Sequence, residues 1–184
     1  MLIDPSYFHG EILIAQRGQL EVQEDIEGLI AKYEPKILRE LLGKSLYKEF
    51  MEGLEDPFPD PKWINLRDGV DGEWMGLANM DKLSLIANYV YYHWMRKENL
   101  QTVGIGTVKV EAENAVKASP VEKYVRAWNE MVDWICELHD YIRDHIDDYP
   151  DYAWKDYHSP CTKCHCGCCN RKKFPFTKIN SLGL

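Results

Sequence analysis

The stretch that decides the fold is LSLIANYVYYHWMRKEN (83–99), QTVGIGTVKVEAENA (101–115) and SPVEKYVRAWNEMVDWICELHDYIRDHI (119–146). The first and last pieces repeat their apolar residues at three and four positions, the period of an amphipathic helix. Between them, from Leu100 to Ala118, the chain changes character. Val103, Ile105, Thr107, Val108 and Val110 are β-branched, and Gly104 and Gly106 punctuate them. That pattern predicts short strands broken by a turn or bulge. A lone two-stranded ribbon is marginal in water. An arm of this kind between two helices is therefore expected to lie on another edge, most economically on a copy of the same chain.

The flanking helices set the rest of the bundle. Between about Asp81 and Glu98, Leu83, Ile86, Ala87, Val90, Tyr91 and Trp94 face inward, while Tyr89, Tyr92, His93 and Met95 widen the apolar girth. A helix apolar nearly all round is covered on two sides, and the extra aromatic face is a candidate subunit contact. The last helix is marked by Ser119 as N-cap, Pro120 in the first turn and Glu122 completing a capping box. Its periodicity runs through Trp128 and Ile142 to near Pro150, a rod of about 40 Å.

Upstream, Met1 to Ile14 carries Pro5, Gly10 and a short alternating run, and reads as an extended arm or loose strand. Residues 19–33 are helix-patterned. Glu34-Pro35 is expected to restart the chain, because proline suits a first turn and disfavours helix before it. The stripe Ile37, Leu38, Leu41, Leu42, Leu46, Tyr47, Phe50 and Leu54 then predicts one helix, with Gly43 inside it for close packing. Three prolines in 55–63 end that helix, and 64–80 reads as turns, with Trp63 and Trp74 plugging the core edge or a neighbour. The fold class is thus mainly α: a small helical bundle with a long C-terminal helix, a β-type arm and irregular termini. Three regions result: an N-terminal arm (1–18), a helical domain (19–157) and a Cys-rich basic tail (158–184).

Charge and composition exclude several classes. The chain of 184 residues has a net charge of −8. From Ser159 onward it has Lys163, Arg171, Lys172, Lys173 and Lys178 with no acid, so the body is more acidic still. An acidic body lacks the phosphate-neutralising face of a sequence-reading DNA binder. It suits a surface past which DNA slides without sticking. No apolar run reaches the length of a membrane span. Asp4 and Glu11 stand where a signal peptide would carry basic residues, so a non-exported protein is expected.

Few constellations carry chemistry. His158, Cys161, Cys164, Cys166, Cys168 and Cys169 lie close together with His165, and Cys161-x-x-Cys164 has zinc-knuckle spacing. The second pair follows with almost no loop to wrap a tetrahedron. Two readings stand side by side: a compact or subunit-shared zinc site, and an unmetallated Cys-rich tail. Gly104-x-Gly106 follows a helix and lacks the third glycine of a dinucleotide fingerprint. Asp144, Asp147, Asp148, Asp151 and Asp156, with His145, read as a solvated acidic rim. No nucleophile–base motif occurs, and no enzyme is expected. No cofactor is expected for the main domain.

The order of these pieces resembles the head-to-tail connector, or neck ring, proteins of tailed bacteriophages. YEPKILRELLGKSLYKEF (33–50), with Leu42-Gly43-x-x-Leu46-Tyr47, is similar to their opening helix. YYHWMRKENLQTVGIGTVKVEAENA (91–115), followed by VRAWNEMV (125–132), resembles connectors of Bacteroides-infecting, crAss-like phages. The likeness spans about residues 34–142 and rests on Leu42, Gly43, Leu46, Tyr47, Gly104, Gly106, Glu113, Asn114, Arg126, Trp128 and Asn129. It implies a structural virion protein made in the host cytoplasm, forming a twelvefold homo-oligomeric ring at the virion neck. Portal, adjacent neck or tail proteins and DNA passing through the channel would be its partners, with no membrane. The arm (Val103, Gly104, Ile105, Gly106, Val108, Val110) would make the subunit or portal contact. The tail from Ser159 departs from that family. The rival reading from another class is a zinc-binding nucleic-acid or regulatory module acting through residues 158–173.

Overall fold

In the computed structural model, the residues described are 1–98, 101–103, 106–108, 121–152, 176 and 178–180. Five α-helices form the bundle: α1 (Leu20–Leu42), α2 (Lys44–Glu55), α3 (Pro61–Asp68), α4 (Leu85–Glu98) and α5 (Val121–Asp144). The mainly helical class is as the sequence predicts. α4 lies between α1 and α5, and buries Leu85, Ile86, Ala87, Tyr89, Val90, Tyr91 and Trp94. Asn88 donates to Glu130 at 2.9 Å, and Tyr92 meets Trp128 and Tyr124 at 4.6 and 5.7 Å between ring centroids. Position rises along α4 as it falls along α5, so the pair runs antiparallel. Among the described residues no helix is long and apolar enough to cross a membrane.

Helix boundaries follow local chemistry. Ser84 caps α4: its Oγ accepts from the amides of Ile86 and Ala87, and donates to the Leu77 carbonyl at 2.5 Å. Asp60 caps α3 by accepting from the Lys62 amide at 3.0 Å, with Pro61 in the first turn. The carbonyls that α3 leaves open at its end are taken by the following loop. Gly69, Leu77 and Ala78 donate to Asn65, Leu66 and Arg67. The segment read as turns over 64–80 therefore begins as the end of α3. Trp63, on α3, and Trp74, in the loop after it, are both buried.

Four expectations need correction. The chain does not restart at Pro35, since α1 runs through it. The break falls eight residues later at Gly43, whose φ of +77° is a conformation L side chains rarely adopt. The stripe read as one helix is shared by two, and keeps Leu42 and Leu46 both in the core. Pro35 is tolerated because the lost amide bond is outweighed by burial of Ile30, Ile37 and Leu38 around it.

The N-terminal segment is not an extended arm. It makes two 3-10 turns, Pro5–Tyr7 and Gly10–Ile12, and sinks Ile3, Tyr7, Phe8 and Ile14 into the core. It is held by Glu34, a buried carboxylate accepting the amides of Leu2 (2.9 Å) and Ile3 (3.2 Å). Burial pushes the Glu34 carboxyl above its ordinary range, against the pull of those two amides.

α5 stops at Asp144 rather than near Pro150. The chain turns so that Tyr149 is fully buried, its hydroxyl donating to the Lys62 carbonyl at 2.8 Å. The helix is about 36 Å long at the standard rise. The aromatic side of α4 is covered in part within the chain, while Tyr92, His93 and Met95 stay partly exposed. Tyr89 is covered by Tyr33, Trp128 and Phe176, and His93 stacks on Tyr33 at 3.9 Å.

Two histidines in this core couple stability to pH. Burial lowers His93 and His139 to about 4, the nearby Lys36 and Arg96 adding to the effect at His93. The unfolded imidazole titrates near about 6.5, so the folded state binds fewer protons between those values. Stability from neutral His139 is complete above about 6.5 and is lost as pH falls toward 4, reaching about 3 kcal/mol. Glu34, shifted upward, acts with the opposite sign. The difference in urea midpoint between the native chain and His139→Leu, followed from pH 7 to 4.5, isolates the imidazole. The native chain is expected to lose more; parallel profiles would place the proton elsewhere.

Candidate assembly surface

The arm emerges where α4 ends and α5 begins, at the same end of the antiparallel pair. Its described part is a two-stranded antiparallel ribbon. β1 (Gln101–Val103) pairs with β2 (Gly106–Val108) in the register Gln101 to Val108, Thr102 to Thr107 and Val103 to Gly106. The expected short strands are present. Among the described residues no further strand pairs with either edge. Among the described residues, each strand then presents one row of main-chain groups without a ladder partner, the arrangement that accepts an added strand. Val103, Gly106 and Val108 lie within this ribbon, whereas Gly104, Ile105 and Val110 lie outside the described residues.

At the base of the arm sits an aromatic cluster. Trp128 and Tyr92 approach to 4.6 Å, Phe176 lies 5.7 Å from Trp128, and Tyr89 closes the group. The Arg96 guanidinium stands 5.4 Å over the Tyr92 ring, in cation–π range. Four residues carrying the resemblance are placed apart from this cluster, and Gly104, Glu113 and Asn114 lie outside the described residues. Leu42 and Leu46 are core, Gly43 is the break between α1 and α2, and Tyr47 is half-buried under Arg39 at 5.1 Å.

Sequence reasoning missed a second attachment on α5. Phe176 and residues 178–180 return to this helix beyond the Cys-rich stretch. The Asn129 side-chain amide donates to the Ile179 carbonyl (3.0 Å) and accepts the Ile179 amide (2.9 Å). Lys178 pairs with Asp133 at 2.8 Å, and Phe176 is 2% exposed. The signal in the sequence is the return of apolar residues, Phe174, Phe176 and Ile179, after the basic triplet Arg171-Lys172-Lys173. His158, Cys161, Cys164, Cys166, Cys168 and Cys169 lie outside the described residues.

A third surface is an open cleft of ≈ 630 Å³ beside the loop after α3, lined by Asp68, Asp71, Glu73, Asp81, Glu137 and Met75. Burial, and then the neighbouring Asp133, raise the Glu137 carboxyl. Among the described residues no group of His, Cys, Asp and Glu is arranged to hold a metal ion. The acids at the end of α5 serve local structure: Arg143 bridges Asp140 (2.6 Å) and Asp144 (3.0 Å), and Ser45 donates to Asp151 at 2.7 Å. His145 stands 3.7 Å from Glu73. No protein-family model, curated protein or solved structure matches the chain.

Proposed function

We propose that this chain is a structural subunit that self-associates into a ring at the head-to-tail neck of a tailed phage, docked on the portal. DNA would pass through the ring without being read. The observation that carries the reading is the ribbon set between α4 and α5, to which no further strand is paired among the described residues. A free ribbon is marginally stable, and an added strand from a neighbour supplies what it lacks. The acidic body supports a channel wall that repels the DNA backbone. The resemblance over residues 34–142 gives the setting.

Deleting 103–110 tests it. The deleted chain is expected to keep its helical circular dichroism and thermal unfolding transition, yet to form no ring on the cognate portal in electron micrographs. Loss of the helical fold would make the arm part of the chain's own core and overturn the proposal. So would intact rings from the deleted chain.

A further inference from the structure

Among the described residues, Phe176, Lys178 and Ile179 attach the C-terminal segment to the bundle by three different kinds of contact. Asn129 reads the main chain at Ile179 through a paired donor and acceptor, as an adjacent β-strand would. Asp133, one helical turn on, takes the Lys178 ammonium. Phe176 fills a site walled by Trp128 and Tyr89. One anchor is main chain, one is charge and one is an aromatic in a pocket, the makings of short-peptide recognition.

None of these contacts depends on which chain delivers the segment. Twenty-three residues separate Tyr152 from Phe176, enough to span about 80 Å when extended. That is roughly twice the length of α5. A neighbour's seat is thus within reach, and exchange of identical segments needs no new surface. Copies held side by side would meet each other's segments at an effective concentration comparable to their own.

We propose that Phe176 and residues 178–180 form an exchangeable clip, and that their seat on α5 receives the same segment from a second copy of this chain. Its use as a link between subunits rests on the ring reading; the exchange itself does not. The clip is distinct from the arm, so the two would tie neighbours together at separate places on α5.

Two full-length variants test this by complementation. Phe176→Ala/Lys178→Ala keeps the seat and spoils the segment. Asn129→Ala/Asp133→Ala keeps the segment and spoils the seat. Circular dichroism first establishes that both fold. The first is then labelled with nitrogen-15 and titrated with the unlabelled second. The Trp128 indole and Asn129 side-chain signals are expected to move, saturably, toward their positions in the native chain. A control titration with the double-defective chain should move neither. Signals that stay fixed up to the highest concentration of the partner would overturn the proposal and leave the segment a private contact. Portal-bound rings that form although complementation fails would sink the clip alone. Complementation without any portal-bound ring would sink the ring reading alone.

Discussion

Gly76→Ala is expected to destabilise the protein by about 3–5 kcal/mol, adding backbone strain at positive φ to overpacking. Gly76 has φ +91°, and a Cβ there would stand 2.5 Å from the Asp68 carbonyl carbon, 2.6 Å from its oxygen and 2.7 Å from the Gly69 nitrogen. All three are backbone atoms of the end of α3 and its cap, so no side chain can swing aside. The same crossing point carries the amides of Leu77 and Ala78 onto the last carbonyls of α3. Pushing the loop away uncaps that helix. Urea unfolding monitored by circular dichroism gives the number; a loss under about 1 kcal/mol would mean that the loop moves freely, against the close-packed picture.

Trp74→Ala should cost a similar amount, about 3–5 kcal/mol, for a different reason. Trp74 is 3% exposed and stacks on Tyr141 with ring centroids 6.2 Å apart. Its indole also donates to the Leu66 carbonyl at 3.1 Å, but that oxygen accepts Leu77 as well. Removing the indole therefore leaves a cavity rather than an orphaned carbonyl, and the cavity dominates. Trp74→Phe separates the two contributions. It keeps most of the volume and should lose only about 1–2 kcal/mol. Equal losses for Phe and Ala would assign the effect to the hydrogen bond instead.

Much of the bundle can be read from apolar spacing. The periods of α4 and α5 are visible in Leu85–Trp94 and Val125–Ile142, and the β-branched run 103–110 announces the ribbon. What spacing cannot show is where a stripe changes element. Pro35 and Gly43 both interrupt α1–α2, and propensity ranks proline as the stronger breaker. The structure ranks them the other way, because Gly43 alone adopts a positive φ and the burial around Pro35 is tertiary. The fate of the aromatic side of α4 is hidden for a related reason. Its cover comes from Tyr33, fifty-six positions before Tyr89, and from Phe176, far beyond it. No local pattern encodes such partners. The α5 seat escapes notice because Asn129 and Asp133 look like ordinary surface residues of an amphipathic helix.

The antiparallel pairing of α4 and α5 has a mechanical consequence. Both attachment points of the arm lie at one end of that pair, so tension on the arm pulls the two helices in the same direction along their axes. Such a load does not slide α4 against α5, where Asn88 meets Glu130 and Tyr92 meets Trp128. It is passed instead to the boundary with α1 and to the N-terminal turns clamped by Glu34. Under force the hairpin of helices behaves as a single strut, and the first joint to give is the one between that strut and α1.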